Sequence, residues 1–363
     1  MQYEDVRIKS SDVVTCVHEL LFDFSIWEIF GALCNGASVC VVPRTMYLSP
    51  PDLIKLCDRL GVTVLSQTPA AFAALESDDR LMGNRAARAA AARTPGAPGA
   101  TGATVLMGGA AVEERETTLQ QQNHPYLRSL RSIVFAGDKL DFSRLCRWFQ
   151  RHDDKATKLF NCYGITETSV FSTLRRITAK DATAACGEDY PYLSLIGRPL
   201  AHNDFVVLNA AGKVVPRGVL GELYIGGLAV AKGYLRREQL TSERFLNLNY
   251  YKEKTVGDKM YFRTGDIVKY TDTGEFDFLG RVDQQLKVRG FRVEAFEVEQ
   301  SIISHSSIKN AVAVVTKSPS LFVVFYTLKE NEHVSKDELV SLARTKLPSY
   351  MVPQEFVCLE GKN

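Results

Sequence analysis

The spacing of apolar residues predicts alternating helices and strands in the first half of the chain. In "SPPDLIKLCDRLGVTVLSQTP" an apolar stripe at helical spacing runs from Leu53 to Leu60. Ser49 stands at the N-cap position, and Gly61 ends the helix before the apolar run "VTVLS". The segment "LDFSRLCRWFQRH" followed by "KLFNCYG" repeats this order, with Asp141 as the predicted cap. Such alternation is typical of a layered α/β core with parallel strands.

The pattern changes at about residue 205. The segment "FVVLNAAGKVVPRGVLGELYIGG" has short apolar runs broken by turns, which predicts a β-rich subdomain over about 205–279. Further on, "VEAFEVEQSIISH" predicts a helix, "NAVAVVTK" and "LFVVFYTL" predict strands, and the capping box from Ser335 to Glu338 opens another helix. We therefore expect a large α/β core over residues 1–282 and a small C-terminal α+β domain over 283–363.

Residues 83–104 fit neither pattern. The segment "GNRAARAAAARTPGAPGATGAT" is rich in Ala, Gly and Pro and has no sustained apolar period, so it is predicted to be a flexible inserted loop. A short helix in its alanine-rich half is the alternative, because alanine has the highest helix propensity.

Composition narrows the function classes. The chain has 363 residues, of which 45% are hydrophobic and 24% charged, as in a globular protein. With 44 basic and 42 acidic residues, the charge indicates no nucleic-acid partner. Apolar runs fall short of the roughly 18 to 20 residues of a membrane span. Eight cysteines form no C-x-x-C pair and most lie in apolar runs, which favours a reducing, cytoplasmic location.

The stretch "NCYGITE" at residues 161–167, taken alone, is compatible with an ordinary strand-exit turn as well as with a functional one. The functional interpretation is favoured when this stretch is taken together with five others. They are "FDFSIWE" (22–28), "GELYIGGLAVAKGYL" (221–235), "YFRTGD" (261–266), "GRVDQQLKVRGFRVE" (280–294) and "LPSYMVP" (347–353). In this order they resemble the adenylate-forming, AMP-binding enzymes. Within that superfamily they resemble the amino-acid-activating adenylation domains of nonribosomal peptide synthetases.

The resemblance implies an enzyme that uses ATP and Mg²⁺ to convert an amino acid into aminoacyl-AMP with release of pyrophosphate. The aminoacyl group then passes to the phosphopantetheine thiol of a carrier domain, expected in the same polypeptide. This chemistry needs an adenosine clamp, a metal ion for the triphosphate and charge stabilisation at the α-phosphate.

The nucleotide site that the resemblance implies centres on the "NCYGITE" turn. Tyr163 would stack on adenine, and Asn161 would lie near its exocyclic amine. Thr166 would contact the α-phosphate, and Glu167 would hold Mg²⁺, which prefers oxygen ligands. Gly164 would let the backbone approach closely.

Further roles follow from the later motifs. Asp266 would accept the ribose hydroxyls, with an exposed Gly-Asp turn as the structural alternative. Arg281 would add a ribose or phosphate contact, and Asp283 matches the hinge between the two domains. Lys287 lies in the loop implied for thiol transfer, with a solvated basic hairpin as its alternative. The stretches "GELYIGG" and "VAKGYL" are predicted to be structural, and Glu222 is not expected to be catalytic.

The implied substrate pocket begins in "FDFSIWEIFGALCNG", where Asp23 and Trp27 stand four residues apart on one helix face. Asp23 would pair with the α-ammonium of an amino acid, and a helix N-cap is its alternative. The remaining pocket positions are mostly apolar with one hydroxyl: Phe24, Trp27, Ser66, Val134, Ala136, Cys162, Val170 and Phe171. They suggest threonine or another neutral residue of similar size.

Two features depart from the family. The Ser/Thr/Gly-rich phosphate loop normally precedes "FDFS", and the family's adenylation lysine stands further beyond "FVCLE" than Lys362 does. We therefore expect an internal piece of a longer synthetase. Two other functions stay open: an acyl- or aryl-CoA ligase, and a non-catalytic AMP-binding protein.

Overall fold

A computed structural model describes residues 6–79, 126–248, 260–282, 286–288, 291–293, 295–316, 321–330 and 332–359. The chain divides into two compact units, Met1–Gly280 and Arg281–Asn363. The insert predicted at residues 83–104, the hinge residue Asp283 and Lys362 lie outside the described residues.

The first unit contains most of the strands. They are β1 (Val13–Cys16), β2 (Ser38–Val41), β3 (Val64–Gln67), β4 (Ser132–Phe135), β5 (Lys158–Tyr163), β6 (Thr173–Ile177), β7 (Leu195–Pro199), β8 (Asn203–Leu208), β9 (Leu220–Gly227), β10 (Phe245–Asn247), β11 (Met260–Tyr270) and β12 (Phe276–Arg281). Its helices are α1 (Asp23–Leu33), α2 (Arg44–Tyr47), α3 (Pro50–Leu60), α4 (69–79), α5 (Cys146–Phe149), α6 (Ala179–Ala185) and α7 (Glu238–Arg244).

Within the described residues these strands join into a 12-stranded sheet in the order β2-β1-β3-β4-β5-β6-β7-β12-β11-β9-β8, with β10 paired to β11. The first part, from β2 to β5, is parallel. From β5 onward the strands pair antiparallel, as in β5–β6, β6–β7, β7–β12, β11–β9 and β9–β8. The predicted α/β core with parallel strands and the β-rich region after residue 205 are both confirmed.

Local signals explain the helix boundaries. Helix α3 ends at Gly61, whose φ of 61° is the left-handed conformation that glycine adopts without strain. Ser49 occupies its N-cap position, but the Ser49 hydroxyl donates to the Asp52 carboxylate at 2.7 Å. Asp141 accepts from the Ser143 N–H at 3.0 Å, as expected for a cap, yet the first turn (Phe142–Leu145) is 3₁₀ before α5 begins.

The inner parallel strands β1, β3, β4 and β5 are buried on both faces, as their near-continuous apolar runs require, whereas the edge strand β2 is mostly exposed. On one face Leu65, Ile133 and Phe135 pack in a core that includes Trp148. On the other face a second core contains residues of β3, β4 and β5 together with Phe24 of α1. Helix α1 therefore lies against the face on which the substrate pocket is predicted.

The second unit is a small α+β domain, as predicted. Its elements are β13 (Leu286–Val288), β14 (Phe291–Val293), α8 (Ala295–Ile303), β15 (Ile308–Val315), β16 (Phe322–Leu328), α9 (Lys336–Lys346) and β17 (Glu355–Cys358). Strand β16 pairs antiparallel with β15 and parallel with β17. The predicted capping box is confirmed, since Ser335 Oγ accepts from the Glu338 N–H and the Glu338 carboxylate accepts from the Ser335 N–H.

Among the described helices of both units, none combines the length and the apolar character that crossing a membrane requires.

Candidate active site

The turn after β5 folds back on itself and leaves no room for a side chain at its start. The Ser172 N–H donates to the Tyr163 carbonyl at 2.7 Å and closes the turn. A Cβ on Gly164 would lie 2.0 Å from the Val170 carbonyl oxygen, so any other residue would collide with backbone. Ser169 and Val170 have φ values of 61° and 69°. A left-handed β-branched residue is strained, and such strain concentrates at functional sites.

A hydrogen bond ties this turn to β11. The Tyr163 hydroxyl donates to the Asp266 carboxylate at 2.6 Å, and both side chains are buried. Strand β11 shifts register between Arg263 and Ile267, and Thr264 fixes the irregularity by donating to the Leu223 carbonyl at 2.7 Å. Asp266 is therefore a fully buried strand residue, and the alternative of an exposed Gly-Asp turn is wrong.

Asn161 is also buried, two residues before Tyr163 on β5. Its side-chain N–H donates to the Leu195 carbonyl of β7 at 2.8 Å. The amide oxygen is the acceptor that an exocyclic amine would need. The structure thus orients Asn161 but does not test its role towards adenine.

Glu167 is held by a segment that the sequence analysis treated as structural only. The Tyr234 hydroxyl donates to the Glu167 carboxylate at 2.5 Å, and the Ala231 N–H donates to the Glu167 carbonyl at 2.8 Å. The Ser169 hydroxyl donates to the Ala229 carbonyl at 2.9 Å. The segment from Ala229 to Tyr234 therefore clamps the turn, and no local spacing in the sequence signals this contact.

Asp23 lies beside the same turn. Phe22 occupies the N-cap of α1 and Asp23 is its first helical residue, so the N-cap alternative is wrong. Burial raises the pKa of Asp23, hydrogen bonds from the Thr166 hydroxyl and the Phe24 N–H oppose the rise, and the Glu167 charge adds to it. Two carboxylates, Asp23 and Glu167, thus approach each other at the junction of α1 and the turn.

Most of the predicted pocket residues share one core. Phe24, Val134, Ala136 and Cys162 are buried together, with Trp27 and Phe171 packed against them. The Phe171 ring lies edge-on to Phe24 at 5.3 Å and 5.6 Å from the Trp27 ring. Val170 precedes Phe171 in the strained turn.

Ser66 is the residue predicted to provide the one hydroxyl of the pocket. It is paired with Val134 across β3 and β4, and its side chain is fully buried. In the described part of the chain, Ser66 Oγ has no hydrogen-bond partner.

Two residues behind the pocket were missed by the sequence analysis. His18 Nδ1 lies 2.9 Å from the Glu28 carboxylate, which also accepts from the His18 N–H at 3.2 Å. The His18 ring stacks on Phe24 with centroids 4.2 Å apart. Glu28 is completely buried. The position of Glu28, four residues after Phe24, places it on the buried face of α1. Because a buried carboxylate requires partners, this position could have indicated a contact such as the one with His18.

The residues predicted to act later in the reaction stay predictions. Arg281 is the half-buried last residue of β12, at the start of the second unit. Lys287 lies on β13 opposite Arg292 on β14, which confirms a hairpin there and tests no role. Asp283 is outside the described residues.

The carboxylates near the turn suit a cation that is bound mainly by the phosphate oxygens of a substrate. Among the described residues there is no group of three or more His, Cys, Asp or Glu side chains that would cage a metal. Mg²⁺ is usually held by one or two carboxylates together with phosphate oxygens. The buried Glu167 carboxylate fits that requirement.

Comparisons with known proteins agree with the motifs. Residues 1–235 match the family described as AMP-binding enzyme, and residues 297–362 match its C-terminal domain. The chain is 33% identical over 356 residues to a dimodular nonribosomal peptide synthase of Bacillus subtilis, covering 98% of this chain and 13% of that protein.

Solved structures share the fold. The Vibrio cholerae adenylation domain AlmE, in complex with glycyl-adenosine-5'-phosphate, matches with a TM-score of 0.72 at 22% identity, over 99% of this chain and 58% of that one. An artificially fused adenylation–PCP di-domain of Klebsiella oxytoca, NpsA-ThdA, matches with a TM-score of 0.68 at 22% identity, over 96% and 58%. The chain thus spans little more than half the length of these structures and a small part of the synthase.

Proposed function

Since the chain belongs to the AMP-binding enzyme family, we propose that it activates an amino acid with ATP as aminoacyl-AMP and passes the aminoacyl group to the phosphopantetheine thiol of a carrier domain. The observation that carries this proposal is the position of Asp23, the first residue of α1, beside Thr166 and Glu167. It places a half-buried carboxylate, suited to an α-ammonium, next to the turn that would hold the α-phosphate and Mg²⁺.

The proposed nucleotide site uses the pair of Tyr163 and Asp266. The phenol ring would stack on adenine while its hydroxyl stays bonded to Asp266. An ionised carboxylate has about four acceptor sites, so Asp266 can keep this bond and still accept from ribose hydroxyls. Asn161 would accept from the exocyclic amine of adenine.

Glu167 would hold Mg²⁺, oriented by the Tyr234 hydroxyl. The bound ion would neutralise charge on the triphosphate. Thr166 would contact the α-phosphate, and the absence of a side chain at Gly164 lets the backbone of the turn pack closely on residue 170.

The proposed substrate is a neutral amino acid of about the size of threonine. Asp23 would bind its α-ammonium, and the aromatic side chains of Phe24, Trp27 and Phe171 would limit its size. Ser66 Oγ, buried and without a partner in the described residues, would hydrogen-bond a side-chain hydroxyl.

The remaining roles belong to the second half-reaction. We propose that the two units rotate about Asp283 after adenylation, and that Lys287 then lies near the incoming thiol. Arg281 would contact ribose or phosphate. The matched synthase is named as a nonribosomal peptide synthase and one structural neighbour as an adenylation–PCP fusion, which supports a carrier partner.

The test is the exchange of labelled pyrophosphate into ATP by the full-length protein, measured with each amino acid in turn. We expect threonine or a residue of similar size to stimulate exchange, and Asp23→Ala to abolish it. Exchange with acids that lack an α-amine, insensitive to Asp23→Ala, would instead indicate an acyl- or aryl-CoA ligase. AMP binding without exchange for any acid would indicate a non-catalytic protein.

A further inference from the structure

Two cysteines outside the candidate active site come together on neighbouring helices. All eight cysteines of the chain are free thiols in the structure. Cys146 is the first residue of α5, and Cys186 is the C-cap of α6. Neither residue has a part in the proposed adenylation chemistry.

The thiols are linked by reciprocal contacts. Cys146 Sγ donates to the Ala182 carbonyl of α6 at 3.1 Å. Cys186 Sγ donates to the Ser143 carbonyl at 3.8 Å, and the same carbonyl accepts the backbone N–H of Cys146. The Cys146 thiol therefore reaches the helix that Cys186 caps, and the Cys186 thiol reaches the 3₁₀ turn directly before Cys146, where it shares an acceptor with the Cys146 N–H.

The two thiols differ in access. Burial raises the pKa of Cys146 to about 11, and a hydrogen bond with the Cys186 thiol contributes to the rise. Cys186 is exposed, whereas Cys146 is half-buried. Cys186 is thus the thiol that a reagent in solution meets first, with Cys146 next to it.

We propose that Cys146 and Cys186 form a redox modification site, a dithiol that closes to an intramolecular disulfide by exchange with a small disulfide such as oxidised glutathione. The Cys186 thiolate attacks one sulfur of the oxidised glutathione, breaks its S–S bond and releases one glutathione. Cys146 then loses its proton to solvent, attacks the Cys186 sulfur and releases the second glutathione. Two electrons pass from the two cysteines to the reagent, which leaves as two glutathione molecules.

The disulfide would act on the segment that carries the active site. The chain between Cys146 and Cys186 contains β5, the turn with Thr166 to Thr168, β6 and α6. Linking its ends restricts this segment in the unfolded protein and in any locally opened state. The proposal does not depend on which substrate the site takes.

The experiment treats the full-length native protein with oxidised glutathione, blocks remaining thiols by alkylation and maps the peptides by mass spectrometry without reduction. We expect one linked pair of peptides, containing Cys146 and Cys186 and lighter by two hydrogens than the free pair, which dithiothreitol removes. The Cys34→Ser variant, which removes another exposed cysteine, should retain the link.

The variants of the pair give the sharper readout. In Cys146→Ser the exposed Cys186 should keep one glutathione, because the second thiol that would release it is absent. In Cys186→Ser, Cys146 should take up glutathione at least tenfold more slowly than Cys186 does in Cys146→Ser. A glutathione adduct that persists on Cys186 in the wild-type protein, or full alkylation of both cysteines after treatment, would overturn the proposal.

Discussion

The phenolic oxygen of Tyr163 lies 2.6 Å from the Asp266 carboxylate, across 103 positions of the chain. This bond joins the turn after β5 to β11 at the centre of the candidate site. It fixes the ring proposed to stack on adenine and the carboxylate proposed to hold the ribose.

Removing that phenol tests the bond. Tyr163→Phe leaves the buried Asp266 carboxylate short of a donor, so we expect a loss of about 1–3 kcal/mol in the free energy of unfolding. Urea denaturation measures it, and the KM for ATP in the exchange assay should rise. The control is Tyr190→Phe, because Tyr190 is half-buried and its hydroxyl makes no hydrogen bond within the described residues. Equal stability of the Tyr163 variant and wild type would contradict the expectation.

Gly164→Ala tests the shape of the turn. A Cβ at this position would lie 2.0 Å from the Val170 carbonyl oxygen, so the backbone must move. We expect destabilisation of about 1–3 kcal/mol and loss of pyrophosphate exchange. Gly187→Ala is the matched control, because its nearest neighbour would be 3.3 Å away. Wild-type exchange in the Gly164 variant would show that the turn tolerates a side chain.

Asp23→Asn tests the proposed ammonium contact. A hydrogen bond to a charged partner is worth about 1.5–3 kcal/mol, so the KM for the amino acid should rise by about 10- to 150-fold. The KM for ATP should change little, because Asp23 is not proposed to touch the nucleotide. Asp52→Asn alters an exposed aspartate in the first turn of α3 and serves as the control. A rise in the KM for ATP alone would argue against the assignment.

Tyr234→Phe tests whether the Tyr234 hydroxyl orients Glu167. The bond of 2.5 Å is lost while the ring, which lies edge-on to Phe245 at 5.4 Å, is retained. We expect the Mg²⁺ concentration needed for half-maximal exchange to rise about tenfold, equivalent to about 1.4 kcal/mol. If the melting temperature of the variant falls while its Mg²⁺ dependence stays unchanged, the hydroxyl stabilises the fold and does not orient Glu167 for Mg²⁺.

Asp12 makes stability depend on pH. Burial raises the pKa of Asp12, but hydrogen bonds from Arg131, the Lys9 N–H and Thr63 outweigh it and leave the pKa below its ordinary value. A carboxylate with a lowered folded-state pKa stabilises the fold above its unfolded-state pKa of about 3.9, and this is lost as the pH falls through the folded-state pKa.

We therefore expect Asp12→Asn to unfold at a lower urea concentration than wild type near neutral pH. Its free energy of unfolding should be lower by about 1–3 kcal/mol. The difference should shrink as the pH falls below about 4. Urea titrations from neutral to acidic pH measure it. The exposed Asp272→Asn should follow wild type throughout, and a pH-independent difference for Asp12→Asn would show that packing alone is involved.

Much of the fold followed from local signals. The stripe of α3, its end at Gly61 and the capping box at Ser335 each depend on residues within one or two helical turns. These signals can be recognised in the sequence because helix periodicity and capping involve residues close together in the chain. The 3₁₀ turn after Asp141 was not predicted, because periodicity does not separate the two helix types there.

The site was predictable only in part. The motifs identified Tyr163, Asp266 and Asp23 but not which of them touch. Tyr163 reaches Asp266 at the register shift in β11, and the packing of α1 brings Asp23 to the turn. No short window of sequence contains either relationship. Tyr234 was passed over for the same reason, since its contact with Glu167 joins distant segments.

The closure of the turn at Tyr163 and Ser172 has a consequence for the order of folding. Strands β5 and β6 form an antiparallel hairpin, so this part of the site requires only contacts between near neighbours in sequence. The bond to Asp266 closes a loop of 103 positions and must wait until β11 has docked. Contacts of long sequence separation are slow to form. We therefore expect the turn to form early and the proposed nucleotide site to be completed only late in folding.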